Sequence, residues 1–287
     1  MSHISIFIEL TRLKKPTGFM LLFWPCAWGL SIAYDFKNSI EHYILYLILF
    51  FLGAILMRSS GCIVNDIIDK DYDKNVKRTK NRPIASNKIS IKLSIIYSAV
   101  LCLLAFLVLI NFNFLTIVLA IASMPLAFTY PLMKRFTYWP QLFLGITFNY
   151  GLLLGWTSVM NDMNFEPLVF YLGAIFWTLG YDTIYGFQDI EDDEIIGVKS
   201  TSIKFKENPK IFLSICYLIF ILCYLIMGIS LELNNYFYIG ILIVILHLLF
   251  FQIYNFKKED KLKCLNIFKS NNFLGLIVLT NILIGKI

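Results

Sequence analysis

The chain has 287 residues, 58% of them hydrophobic and 16% aromatic, with only 15% charged and a mean hydropathy of +0.71. A soluble domain carries about 25% charged residues, so the composition excludes an ordinary soluble enzyme and points to a polytopic membrane protein. The net charge of +6 sits almost entirely in short loops, which is a membrane-topology pattern and implies no nucleic-acid partner.

The N-terminal segment places Arg12, Lys14 and Lys15 after Glu9 and offers no small-residue cleavage site before the first long apolar run. It reads as a retained cytoplasmic segment at the membrane interface, not as a signal peptide. Apolar runs then predict nine spanning helices, at residues 17–34, 42–64, 92–110, 114–131, 139–159, 166–187, 210–230, 236–256 and 271–286. Each approaches the roughly 20 residues that cross a bilayer. The fourth carries Pro125 and the last is short, whereas Trp139-Pro140 suits a helix start, because proline is tolerated in a first turn. Six cysteines show no C-x-x-C spacing and lie mostly within the apolar runs, as small core residues do.

Of the 25 Lys and Arg, 22 precede the first span or lie in loops joining even- to odd-numbered spans. The connections Asn111–Asn113, Asn161–Glu166 and Leu231–Asn235 contain none. The positive-inside rule therefore places the N-terminus and the basic loops in the cytoplasm.

Carboxylates are scarce in such a chain, yet ten of the 19 acidic residues fall in residues 66–73 and 182–194. Asp66, Asp69 and Asp73 step by three and four, with Asn65 beside them. Asp182, Tyr185, Asp189 and Asp193 step by three, four and four. On a helix, such spacing lines each set along one face. Both clusters begin at the cytoplasmic ends of spans, the second and the sixth, and a basic loop follows each. Hard oxygen donors suit Mg²⁺, which commonly joins one or two carboxylates to substrate phosphates. Two such stripes facing one side make a clamp for a diphosphate ester. The plainer alternative for the first cluster is a solvated helix end balancing its basic neighbours. Glu191, Asp192 and Glu194 point elsewhere and read as solvated.

Asp182 and Arg58 are intramembrane charges, which are costly and functional by default. Arg58 lies seven residues before Asn65, on its face, and either pairs with Asp182 or binds an anionic substrate. Lys77, Arg78, Arg82, Lys134, Arg135 and Lys199 are candidates to cap phosphate oxygens, with ordinary positive-inside charge as the alternative for each. Tyr130, close to Lys134, joins the candidate substrate-binding set. Tyr185 is placed to shield an allylic cation by cation–π attraction. His247, inside the eighth span, reads as a packed or hydrogen-bonded histidine.

At these residues the chain resembles the UbiA family of intramembrane prenyltransferases, over almost its whole length. The resemblance is carried by RLKKPTGFMLLFWPCAWGL, MRSSGCIVNDIIDKDYDKNVKRTKNRPIAS, YPLMKRFTYWPQLFLG and YDTIYGFQDIEDDEIIGVKSTSIKF. The last stretch is more specific, and is similar to the branch that prenylates 4-hydroxybenzoate in ubiquinone biosynthesis.

The resemblance implies an all-α fold of nine transmembrane helices around a central cavity open to the cytoplasmic face. It also implies a single membrane-embedded domain, residues 1–287, in a bacterial or organellar inner membrane. Mg²⁺ would be held by Asp66, Asp69 and Asp73 with Asp189 and Asp193. The implied reaction moves a polyprenyl group from its diphosphate to the ring carbon ortho to the hydroxyl of 4-hydroxybenzoate. Asp182 or the released diphosphate would take the ring proton, and Arg58, on our own reading, would hold the benzoate carboxylate. Other acceptors within the family (dihydroxynaphthoate, homogentisate or haem) are the nearest alternatives. An ion-coupled transporter fits less well, since coupling sites usually lie near the midplane. A CDP-alcohol phosphotransferase lacks its D-G-x-x-A-R opening here.

Overall fold

The structure, a computed structural model, describes residues 3–287; Met1 and Ser2, the start of the expected interfacial segment, lie outside the described residues. Among the described residues there is no strand. A short helix α1 (His3–Thr11) leads into α2 (Thr17–Ala33) and α3 (Ile40–Ile68), and one turn, α4 (Lys70–Asp73), extends the latter. Then come α5 (Ile91–Leu109) and α6 (Phe114–Thr129), which passes through a 3₁₀ turn into α7 (Met133–Phe136). The second half holds α8 (Pro140–Met160), α9 (Phe165–Gly186), two short helices α10 (Ile190–Ile196) and α11 (Thr201–Lys204), and α12 (Pro209–Ser230). Finally α13 (Asn235–Ile245) runs on as a π-helical stretch, Leu246–Ile253, before α14 (Lys261–Lys286).

Helices occur at all nine stretches expected to span, and the chain is an all-α polytopic membrane protein. Seven of them are long and apolar enough to cross a membrane by length and composition. The other two are α2, with 17 residues, and α9, whose 22 residues include Glu166 and Asp182. The last helix starts at Lys261, ten residues before the expected boundary. Local signals set the starts: Ser90, Asn113, Asn234 and Asp260 accept backbone N–H bonds as N-caps, and Pro140 and Pro209 open α8 and α12, as first-turn prolines do.

The short α2 is the spine of the fold. It is apolar on nearly all sides and packs on α8, α3 and α14, as a fully buried helix must. Its approach to α8 is backbone-close. A Cβ at Gly29 would strike the Leu152 backbone, and one at Gly155 would strike the Cys26 carbonyl and Leu30 nitrogen. Small residues substitute here for the hydrophobic drive that lipid removes. On its other side Trp28 stacks with Phe170 and leans on Trp177, while its Nε1 donates to the Gly275 carbonyl at 3.0 Å. Lys286, at the end of α14, donates to the Ile32 and Tyr34 carbonyls and so closes the C-terminus of α2.

One set of polar side chains inside the bundle is paired across helices. Trp177 Nε1 donates to Asn271 Oδ1 at 2.8 Å, Gln252 Nε2 donates to the same oxygen at 3.0 Å, and Tyr217 donates to Gln252 Oε1 at 2.6 Å. His247 meets Gln252 at 3.3 Å, the hydrogen-bonded histidine expected. The wider π-helical turn carries both residues, and such turns locally re-aim side chains. All six cysteines are free, and five are buried.

The glycine contacts predict a sharp asymmetry. Gly29→Ala should destabilise the protein by about 1–3 kcal/mol or more, the cost of overpacking. Gly53→Ala, with open space at its Cβ, should be neutral. Melting midpoints of the two variants in detergent check this.

Candidate active site

Both acidic clusters reach the same end of the bundle through helix breaks. Helix α3 stops at Ile68, and Asp69 adopts φ −94°, ψ 5° before α4 resumes the turn. The Asp69 N–H still donates to the Asn65 carbonyl (2.9 Å) and the Asp73 N–H to the Asp69 carbonyl (2.8 Å). Helical hydrogen bonding therefore carries through the break from Asn65 to Asp73. The second set departs further from the continuous stripe expected. Helix α9 ends at Gly186 and α10 begins only at Ile190. Between them the N–H groups of Phe187, Gln188 and Asp189 donate three residues back, to Ile184, Tyr185 and Gly186, so the α-helical register is lost between Asp182 and Asp189. Gly186 also leaves no room there for a Cβ against Ser202 of α11.

The carboxylates are met by basic side chains from three other segments. Arg82 Nη1 donates to both oxygens of Asp73, at 2.8 and 3.0 Å, and to Asp66 at 3.1 Å. Lys134 Nζ donates to Asp69 Oδ2 at 2.6 Å. Arg78 forks onto Asp189 through Nε and Nη2 and donates from Nη1 to the Tyr185 hydroxyl at 3.2 Å. Its guanidinium also lies 5.6 Å from the Tyr185 ring centre. Arg135 donates to the Ile68 carbonyl at 2.7 Å, and its nearest Asp69 oxygen is 3.9 Å away. Asp66, Asp69 and Asp73 are all buried, at 2%, 2% and 6% exposure, which is tolerable only with such partners.

Two expected residues stand apart. Lys77 is exposed and joins no ion pair among the described residues. The Lys199 N–H and Nζ donate to the Lys134 and Phe136 carbonyls, so it pins the Lys134 segment and touches no carboxylate. The acids read as solvated form surface pairs, Glu191 with Lys261 and Glu194 with Lys206, each at 2.9 and 2.8 Å respectively.

Arg12 is the residue that sequence reasoning missed. It was counted only toward topology, yet its Nη2 donates to Asp66 at 2.5 Å. Its backbone takes φ +56°, a left-handed conformation costly for a non-glycine residue and typical of functional turns. Helix α1 holds it there by packing Ile6 and Leu10 with Ile63, Ile84 and Ile89. No one-dimensional spacing connects residue 12 to residue 66.

Below this layer sit the intramembrane charges. Arg58 lies 5.4 Å from the Phe148 ring centre, and its Nε is buried with no hydrogen-bond partner. Among the described residues it forms no ion pair with Asp182. Asp182 likewise has neither a hydrogen bond nor an ion pair there. Tyr130 stands edge-on to Phe148, ring centres 6.5 Å apart, the same ring that Arg58 faces.

The titration behaviour of the outer layer follows from burial. Burial pushes the Asp69 carboxyl up, against the pull of Lys134. Burial, then the neighbouring Asp189, pushes Asp193 up to about 6. Burial opposes the charge of Arg78, but its hydrogen bonds to Asp189 hold it above its usual value.

Among the described residues no three acidic, histidine or cysteine side chains converge into a metal cage. The donor set nevertheless suits Mg²⁺, which takes few carboxylates and fills its shell with phosphate and water oxygens. Asp69 Oδ1, buried without a hydrogen-bond partner, is an oxygen already free of protein donors.

Residues 22–277 match the sequence model of the UbiA prenyltransferase family. The chain is 42% identical to human mitochondrial 4-hydroxybenzoate polyprenyltransferase, over 98% of its own length and 75% of that protein. It is 36% identical to 4-hydroxybenzoate octaprenyltransferase of Pseudomonas fluorescens (strain SBW25), covering 96% and 92%. Its fold matches the apo structure of a UbiA homolog from Aeropyrum pernix K1 with a TM-score of 0.77 at 20% identity, over 94% of this chain and 98% of that one. A UbiA homolog from Archaeoglobus fulgidus bound to GPP and Mg²⁺ gives 0.71 at 16% identity, over 97% and 99%. The acidic motifs, the helical fold and these matches agree, and the chain belongs to the UbiA prenyltransferase family.

Proposed function

We propose that the chain is a Mg²⁺-dependent aromatic prenyltransferase that moves a polyprenyl group from its diphosphate to 4-hydroxybenzoate, ortho to the hydroxyl. It works as one membrane-embedded unit in an inner membrane, with the acidic end facing the cytoplasm. The observation that carries this reading is the interleaving of four aspartates, Asp66, Asp69, Asp73 and Asp189, with Arg12, Arg78, Arg82 and Lys134 above an unpaired Arg58. The acceptor is supported by the activities named for the 36–42% identical relatives. The orientation is supported by the one-sided placement of the basic loops.

Asp66, Asp69 and Asp73 on one side, and Asp189 and Asp193 on the other, would hold Mg²⁺. When bound, the ion offsets the charge that develops on the departing diphosphate. Arg12, Arg78, Arg82 and Lys134, released from the carboxylates, turn to the phosphate oxygens, where charge-assisted hydrogen bonds are strong. Tyr185, under Arg78, presents a π face to the allylic cation that ionisation leaves. Arg58 holds the acceptor's carboxylate and so fixes which ring carbon faces the cation. Asp182, without a partner of its own, is the protein group available to take the ring proton. The isoprenoid tail stays in lipid, each buried CH₂ contributing about 0.8 kcal/mol.

Asp66→Ala, Asp69→Ala and Asp189→Ala should each lower turnover by about 100-fold or more, the scale of losing one preorganised charge stabiliser. Prenyl transfer by purified protein measures this, and full activity in all three would sink the clamp. EDTA should stop the reaction and added Mg²⁺ restore it. Because ligand carboxylates must be deprotonated, and Asp193 sits at about 6, the Mg²⁺ requirement should rise as pH falls through 6. Mg²⁺ titrations of activity at several pH values test that sign. A panel of acceptors with one donor tests the ring: a better rate with homogentisate or dihydroxynaphthoate would overturn 4-hydroxybenzoate as substrate.

A further inference from the structure

We propose that Gly18 is a positioning residue for Arg58, holding open the slot that sets where the guanidinium meets an acceptor's carboxylate. The inference rests on the reading of Arg58 given above. Gly18 lies in the first turn of α2 and has no positive φ. Its conformational freedom is therefore unused there, and alanine would be the better helix former. What the glycine supplies is space. A Cβ at residue 18 would stand 2.8 Å from Arg58 Nε, 3.4 Å from Nη2 and 3.5 Å from Cζ.

The opposite wall of the slot is aromatic, the Phe148 ring centre lying 5.4 Å from the guanidinium carbon. Arg58 is thus set between the backbone of α2 and a ring of α8, and its Nε is buried with no hydrogen-bond partner. No carboxylate ties it down, and these two walls flank its guanidinium. The glycines of α3, the helix of Arg58 itself, behave differently: Gly53 and Gly61 have nothing within 4 Å of a Cβ, although Gly61 is only one turn from Arg58. A methyl group at residue 18 would push the guanidinium out of register and weaken recognition of an acidic acceptor. It would leave the diphosphate partners, Arg78, Arg82 and Lys134, untouched.

The test is steady-state kinetics on Gly18→Ala, Arg58→Ala, the double variant and Gly53→Ala as control, with 4-hydroxybenzoate and a polyprenyl diphosphate. Gly18→Ala should raise the KM for 4-hydroxybenzoate about tenfold, the scale of one methylene in a binding site, with the KM for the diphosphate unchanged. In the Arg58→Ala background the same substitution should add nothing. An unchanged acceptor KM in Arg58→Ala overturns the carboxylate reading itself. If Arg58→Ala raises that KM and Gly18→Ala does not, the Gly18 inference fails and the reading of Arg58 stands. An equal Gly18→Ala effect in both backgrounds also overturns it. Should Gly18→Ala fold poorly, recovery of its melting midpoint by Arg58→Ala supports the slot, and a defect that persists in the double variant refutes it.

Discussion

Everything at the acidic end depends on one constraint: carboxylates buried in an apolar bundle must be met by positive charge. Asp66, Asp69, Asp73 and Asp189 are so met, by Arg12, Arg82, Lys134 and Arg78. Removing one partner of a buried pair typically costs about 3–5 kcal/mol, because the other charge is left uncompensated. That penalty orders the connecting segments. The loop after α4 is drawn across to α10 by Arg78, the turn between α1 and α2 is bent to deliver Arg12, and α7 is docked by Lys134. These ion pairs act together with the apolar contacts of Ile84 and Ile89 to hold the connecting segments against the bundle end.

The same arrangement makes the site ready for exchange. In the state described, carboxylates and basic groups neutralise each other. A divalent cation with a diphosphate, as proposed, offers every member a new partner of the right sign, so no charge need be stranded during binding. Preorganised groups that swap partners reorganise less than groups recruited from water, and this is the usual source of electrostatic catalysis. Asp193 and Asp69, already pushed toward their protonated forms by burial, are the carboxyls with the most to gain from a cation.

Much of this was legible in the residues themselves. Long apolar runs and the Trp139-Pro140 start made the helices readable, and the three- and four-residue steps did the same for the acidic faces. Pairings across the fold were not legible, because they depend on how segments over 50 residues apart are brought together: Arg12 with Asp66, and Arg78 with Asp189. The helix breaks at Asp69 and Gly186 were hidden for a related reason. Spacing alone assumes an unbroken helix, whereas α9 ends at Gly186 and tighter turns follow it. Lys77 and Lys199 looked equivalent to Arg78 and Lys134 in sequence, and only their loop geometry separates them.

The shortness of α2 carries a consequence for the helices around it. Seventeen residues rise about 26 Å, a few ångströms less than a hydrocarbon core of about 30 Å. Locked to α8 at Gly29 and Gly155, α2 cannot lengthen its reach by shifting along its neighbour. Neighbouring helices enclose α2 on nearly all sides, so protein and not lipid fills the shortfall. Gly18, at its N-terminus, meets Arg58 ten residues inside the α3 end at Ile68, which sinks the polar floor of the site below the aspartates. A lipid-dissolved chain then presents its reactive head to the aspartates without lifting its tail out of the hydrocarbon.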